Sequence, residues 1–267
     1  MELTNRGAQR LKDRVAIITG GGGTNSIGRS IGIRFAEEGA KVALADINGP
    51  SAVLVADEIN AAGGTAMAVT CDVTDLSQCE AMAKQVANAW GGRIDILVNN
   101  AGAFKGYIHH WRPFYEWTQE QWDHSMAVNL RGMWFCTRAV FPYMKEAGYG
   151  KIINMCSSSM FEAAPGIVHY VSSKAGVLGF TRAMGKELGE FGIRVNALAP
   201  GYCLTEGGLE LASGNQEFLD ARRANQALNQ RNGTPEDIAG PAFFLASSDS
   251  DWMTCCTLLV DGGGEMW

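Results

Sequence analysis

Proline is scarce, with 7 in 267 residues, and no Gly-x-y period accompanies it, so collagen-like and low-complexity architectures are excluded. No apolar run approaches the ~20 residues that a bilayer-spanning helix requires. Residues 1–14 are polar and lack a secretory apolar core, so a cytoplasmic chain with no membrane partner is expected. The seven cysteines form no C-x-x-C pair, and no histidine stands at metal-ligand spacing. Adjacent Cys255 and Cys256 read as small buried side chains, and no structural metal is expected. Basic residues stand singly in a chain of net charge −6, so there is no phosphate-tracking stripe and nucleic acid is not an expected partner. Charged residues make up 19%, below the usual ~25%, and hydrophobics 46%, a balance that suits a folded globular chain.

Glycine is in surplus instead. There are 33, where average usage of ~7% gives roughly 19. Such a surplus marks backbone that turns tightly or lies close to something.

Short apolar runs alternate with helical stretches along the chain. Val15–Thr19, Lys41–Asp46, Ala66–Thr70, Ile94–Asn99, Lys151–Ser157, Ile193–Ala199 and Leu258–Val260 read as seven buried strands, most of them rich in Val and Ile. Helices are expected over 27–38, 51–62, 75–90, 118–146, 169–190 and 235–247. The last opens on Thr234-Pro235-Glu236-Asp237, an N-cap followed by proline and two first-turn acids. This alternation predicts an α/β chain: a Rossmann-like, doubly wound, seven-stranded parallel sheet with helices on both faces. No linker or repeat divides it, so one domain over 1–267 is expected. Segments 103–117 and 202–232 interrupt the rhythm at carboxyl ends of strands, where open α/β sheets bind ligands, and are candidates to shape a substrate pocket.

The first strand runs directly into Gly20-Gly21-Gly22-Gly23-Thr24-Asn25-Ser26-Ile27-Gly28, and a helix follows. A glycine-rich strand-to-helix turn brings backbone N–H groups and a helix N-terminus close to a pyrophosphate. Asp46 ends the second strand, 18 residues after Gly28. A carboxylate there accepts hydrogen bonds from adenosine ribose hydroxyls and repels a 2′-phosphate. Ile47 supplies no compensating positive charge, so NAD(H) is favoured over NADP(H).

Tyr170 and Lys174 are four residues apart at the start of a predicted helix, on one face. A free tyrosine titrates near 10, and a neighbouring ammonium stabilises its phenolate. Ser157 lies 13 residues before Tyr170, where its hydroxyl is placed to bond a substrate oxygen.

With these pieces together the chain resembles a classical short-chain dehydrogenase/reductase from Arg14 to Gly263. The matching motifs are the glycine turn, Cys71-Asp72-Val73, Asn99-Asn100-Ala101-Gly102, Asn129, Ser157, Tyr170-x-x-x-Lys174, Pro200-Gly201-x-x-x-Thr205 and Val260-Asp261-Gly262-Gly263. The resemblance implies that Tyr170 is the general acid/base, that Lys174 lowers its pKa and holds the nicotinamide ribose, and that Ser157 polarises the carbonyl. Asn129 would hold a water relay to Lys174. Gly20, Asn25, Ser26 and Ile27 would face the pyrophosphate, Asp46 and Ile47 the ribose, and Asp72 and Val73 the adenine. Asn100 and Ala101 would line the cofactor channel, with Cys203 and Thr205 on the nicotinamide side. Cys203 is expected to contribute backbone and not chemistry. The family also implies a homotetramer.

The turn departs from the family's T-G-x-x-x-G-x-G, since two extra residues follow Thr19-Gly20 and Ser26 replaces the middle glycine. That spacing is also similar to enoyl-acyl-carrier reductases. In that subfamily six residues typically separate Tyr and Lys, whereas three do here. The leading expectation is an NAD(H)-dependent alcohol dehydrogenase or ketone reductase. An enoyl reductase and a non-catalytic NAD(H)-binding sensor are the alternatives. Met126, Met160, Tyr202 and the aromatic 103–117 segment suggest an apolar or bulky carbonyl substrate. No cluster of arginines stands near the expected pocket to clamp an acid, Arg112 and Lys105 being left open. His109, His110 and His169 read as surface or rim residues, and the tail Glu265-Met266-Trp267 as a possible intersubunit contact.

Overall fold

Every strand carries side chains that alternate between two apolar layers, and this alternation sets the architecture. The computed structural model describes residues 9–103 and 111–266. Its strands are β1 (Val15–Thr19), β2 (Lys41–Asp46), β3 (Thr65–Thr70), β4 (Ile96–Asn99), β5 (Gly150–Met155), β6 (Ile193–Pro200) and β7 (Thr257–Val260). They form one sheet in the order β3-β2-β1-β4-β5-β6-β7, with every pairing parallel. The helices are α1 (Ile27–Glu37), α2 (Gly49–Ala61), α3 (Leu76–Ala89), α4 (Gln119–Met126), α5 (Gly132–Ala147), α6 (Ser159–Glu162), α7 (Val168–Leu188), α8 (Glu206–Ala212), α9 (Gln216–Ala224) and α10 (Pro235–Ala246). Ala16 and Ile18 of β1 pack with Ile31 and Phe35 of α1, Ile59 of α2 and Ile238 of α10. Val15 and Ile17 point the other way, to Met82 and Val86 of α3 and Val140 and Met144 of α5. With both faces covered, the strands must be apolar throughout, which is why β1 and β4 are buried at every position.

The helix starts are written in short polar side chains. Ser26, Asn48 and Asp75 accept from backbone N–H groups at the heads of α1, α2 and α3. Thr234 and Asp237 form the capping box expected at α10, and Arg231 clamps the same carboxylate, holding its pKa down at about 2.

Three expectations are revised. The helix read over 118–146 is broken: a π-helical turn, Ala127–Arg131, joins α4 to α5. Segment 202–232, read as irregular, contains α8 and α9. The fourth strand begins at Ile96, two residues later than expected, although the Asp95 backbone still donates to Val15 O and accepts from Lys151 N, both at 2.9 Å. The fully buried Asp95 carboxylate accepts from Val15 N at 2.9 Å, Arg14 Nη1 at 2.7 Å and Arg93 Nε at 2.8 Å, fastening the starts of β1 and β4 together. Among the described residues, no helix is long and apolar enough to cross a membrane, and no group of three or more His, Cys, Asp or Glu could hold a metal ion.

The sheet order reverses between β1 and β4, and the crevice at the carboxyl ends of these strands is where such sheets take ligands. Replacing the Asp95 carboxylate by an amide leaves two guanidinium groups and a strand amide to share one neutral oxygen. Asp95→Asn is expected to cost about 2 kcal/mol in urea unfolding, the arginines being partly able to re-solvate.

Candidate active site

The glycine turn is built on backbone contact. Gly20 has φ +62°, and a Cβ there would lie 2.9 Å from Ala101 Cα. A Cβ on Gly28 would lie 2.2 Å from the Gly20 carbonyl oxygen, so no side chain fits where α1 enters against the turn. Asn100 locks the arrangement by donating from Nδ2 to the carbonyls of Thr19 and Gly20, both at 2.9 Å. Thr19 Oγ1 in turn accepts from Asn100 N and Ala101 N, at 3.0 Å each. Asp46 lies under the turn: Oδ2 accepts from Gly22 N and Oδ1 from Asn48 N, both at 2.9 Å. Ser26, the α1 N-cap, accepts from Arg29 N and donates to Gly22 O.

A cavity of about 420 Å³ runs from this turn into the protein. Its walls include Asn25, Ser26, Ile27, Asn100, Ser157, Tyr170, Lys174, Cys203 and Thr205, nine of the residues singled out from sequence. Gly20, Ala101, Asp46, Ile47, Asp72, Val73 and Asn129 do not line it. Asp46 and Ile47 stand at the end of β2, and Asp72 and Val73 follow β3, with Asp72 capping its own turn through Thr74. Asn129 is fully buried in the π-helical turn. It accepts from Ala103 N at 2.8 Å and donates to Ser173 Oγ at 2.9 Å, and Ser173 reaches Tyr170 O at 2.7 Å. A π-turn inserts one residue into a helix, and this one turns Asn129 inward.

Ser157 stands two residues beyond β5, not within it as the sequence suggested. Tyr170 and Lys174 occupy the first turns of α7 and are both buried. Burial pushes the Tyr170 phenol up to about 12, against a hydrogen bond with Ser157 that acts to lower it. Burial likewise pushes the Lys174 ammonium down to about 8. The ammonium donates to Met155 O at 2.8 Å and lies 5.7 Å from the centre of the Tyr170 ring. The phenol therefore lies above its ordinary value, set by burial, whereas the sequence predicts that the lysine lowers it. Cys203 is also buried, which pushes its thiol up to about 12 and leaves it neutral, and Thr205 caps α8 by accepting from Gly208 N.

Sequence reasoning missed part of the wall. Glu162, Arg222 and Leu211 line the cavity, the two charged groups paired at 2.9 Å. Arg222 also lies over the Trp111 ring at 5.7 Å, so a guanidinium does reach the pocket, brought by α9 from a segment with no strand or helix signal. Trp111 and Tyr202 line the cavity as expected, whereas Met126 lies in a separate groove with Trp134 and Met160 packs on Cys156. Arg112 stacks over Trp117, and His169 is buried against the same indole, not at a rim. Cys255 is half-buried and Cys256 exposed, where both were expected to be buried. Lys105, His109, His110 and Trp267 lie outside the described residues.

The residues present fit a nicotinamide dinucleotide. The turn excludes a Cβ at its two closest approaches, a helix N-terminus follows, and the adjoining cavity reaches a buried Tyr–Lys pair. Fold and site together define a Rossmann-type, nicotinamide-dependent oxidoreductase. A family model described as enoyl-(acyl carrier protein) reductase matches residues 21–265. The chain is 38% identical to the (2S)-[(R)-hydroxy(phenyl)methyl]succinyl-CoA dehydrogenase subunit BbsD of Thauera aromatica, over 96% of this chain and 98% of that protein. It is also 38% identical to the short-chain dehydrogenase/reductase eriH of Hericium erinaceus, covering 93% and 96%. A solved structure from Beutenbergia cavernae, assigned as a candidate NAD(P)-dependent gluconate 5-dehydrogenase with NADP bound at low occupancy, superposes with a TM-score of 0.85. It is 35% identical and covers 95% of this chain and 97% of its own. The chain belongs to the short-chain dehydrogenase/reductase family.

Lys174 titrates near 8 when folded against an ordinary 10.5, so its burial burdens the fold fully below pH 8. Between these values the unfolded chain binds more protons, and stability rises with pH. Lys174→Met is expected to stabilise the protein by about 1–2 kcal/mol at pH 7 in denaturant titration, with the gain shrinking as pH rises above 8.

Proposed function

We propose that this protein is an NAD(H)-dependent alcohol dehydrogenase or ketone reductase, interconverting a secondary alcohol and a bulky, largely apolar ketone within one cofactor-binding and catalytic domain. The observation that carries the reading is the convergence of Ser157, Tyr170 and Lys174 in one cavity with the glycine turn. Gly20, Asn25, Ser26 and Ile27 would hold the pyrophosphate, Asp46 and Ile47 the adenosine ribose, and Asp72 and Val73 the adenine. Asn100, Ala101, Cys203 and Thr205 would hold the nicotinamide half, with Tyr170 and Lys174 on its ribose. Bound there, NAD(H) supplies or accepts the hydride.

The chain's own groups manage the oxygen and its proton. Tyr170, protonated across the neutral range, donates to the carbonyl oxygen in reduction and takes the proton back in oxidation. Ser157 donates a hydrogen bond to the same oxygen as charge builds on it. Lys174, a neighbouring cation, favours the phenolate when the proton leaves. Asn129 holds the backbone of Ala103 and the Ser173 hydroxyl, and so fixes the floor beneath Tyr170 and supports the proposed relay to Lys174. Trp111, Ala164, Ile167 and Leu211 offer an apolar wall for the substrate body. The relative from Thauera aromatica is named for a secondary alcohol beside a phenyl ring on a succinyl-CoA, which supports the secondary-alcohol part of this reading. The three-residue Tyr170–Lys174 spacing and the presence of Ser157 favour carbonyl over enoyl reduction, and the retained triad favours an enzyme over a sensor.

The cofactor choice rests on Asp46. Its carboxylate stands at the end of β2 beside exposed Ile47, with no cation at that position to receive a 2′-phosphate. Assembly as a homotetramer is supported by the exposed Trp134, which borders a groove with Leu130, Phe180 and Met184 on the α5–α7 side. A reducing, cytoplasmic setting is supported by seven unpaired cysteines, five of them buried.

Tyr170→Phe is expected to lower turnover on a substrate found by NADH-absorbance screening by a factor of about 10³, with NADH binding retained. Undiminished turnover would sink the assignment. In the same assay the wild type is expected to prefer NADH over NADPH by at least about tenfold, equal efficiencies overturning the role given to Asp46. Light scattering is expected to return the mass of four chains.

A further inference from the structure

The lengthened glycine turn has a partner of its own. Thr24 and Asn25 lie within the turn lengthened by two residues, and both meet Glu206, the first residue of α8, about 180 positions away. Glu206 Oε1 accepts from Thr24 N and Thr24 Oγ1, each at 2.7 Å, and from Asn25 N at 3.2 Å. The backbone answers in both directions: Glu206 N donates to Asn25 O at 2.9 Å, and Asn25 Nδ2 donates to Leu204 O at 2.7 Å. Five hydrogen bonds therefore tie the pocket-forming segment 203–212 to the turn that precedes α1, and both sides line the one cavity.

We infer that Glu206 is a positioning residue that latches the substrate-side segment to the lengthened turn, and that its carboxylate competes with the cofactor's pyrophosphate for the amide donors at the head of α1. The competition is electrostatic and local. Two successive amide donors just before a helix N-terminus attract an anion, and a carboxylate already accepting from them reduces that attraction and repels a second anion nearby. Closing the latch completes the pocket wall while weakening the hold on the dinucleotide, so pocket closure and cofactor affinity oppose one another. The second half of this inference rests on the cofactor reading given above. The first half rests only on the contacts.

Two measurements separate the halves. Amide hydrogen exchange on the ligand-free protein reads the latch: Glu206→Ala is expected to speed exchange across 203–212 by about fivefold or more, and Glu206→Gln, which keeps an acceptor, by less. Unchanged exchange in Glu206→Ala overturns the latch. Fluorescence titration with NADH at low and high salt reads the competition. Glu206→Gln is expected to bind NADH about threefold to tenfold more tightly than wild type at low salt, the gap narrowing as salt screens the exposed carboxylate. Equal or weaker binding by the variant overturns the competition. Failure of both proteins to bind NADH overturns the cofactor reading, and with it the competition, while the exchange experiment still decides the latch.

Discussion

The close approach of three backbone segments governs everything around the cleft. Gly20, Gly28 and Ala101 lie so near one another that a single added methyl would strike main-chain atoms at 2.9 Å or less. This contact seats the head of α1 against the ends of β1 and β4 at the point where the sheet order reverses. Asn100 and Thr19 close it with hydrogen bonds to backbone groups.

Burial governs the other end of the cavity. Tyr170 and Lys174 are held in a buried site where both lose charge stabilisation, the phenol rising and the ammonium falling. The chain supports that arrangement with a series of buried polar groups, and Asn99 Oδ1 alone of their amide atoms is left without a partner. Asn129 bridges Ala103 and Ser173, Lys174 reaches Met155 O, and Asn154 links Asn99 to Thr181 beneath them. The bonds that are made hold Asn129 and Lys174 in fixed orientations, which is what a proton-transfer site requires.

Much of this was legible in the chain. The number and order of the strands were legible, though not every end, because burial on both faces leaves near-continuous Val, Ile and Ala runs, and so was the α10 start because its capping residues are local. Ser157, Tyr170 and Lys174 were legible as a spacing, and the structure brings all three to the cavity with the turn. The π-turn at Asn129 was not legible, since a one-residue insertion hardly disturbs a helical apolar pattern. Nor were α8 and α9, two short polar helices stabilised by caps and tertiary contacts. Arg222 and Glu162 were missed for the same reason: their pairing spans 60 positions and leaves no local signature.

The sequence by itself determined the order of elements, the glycine turn and the spacing of the reactive side chains. These are properties of periodicity and of residues that only certain backbone conformations accept. Only the tertiary structure decided the electrostatics. Which way Tyr170 and Lys174 shift depends on how buried their site is, and what Glu206 and Arg222 face depends on segments folded back from far along the chain. The surplus of glycine announced a close approach, and the fold decided between which backbones, because contact at van der Waals distance is a property of packing and not of any one segment.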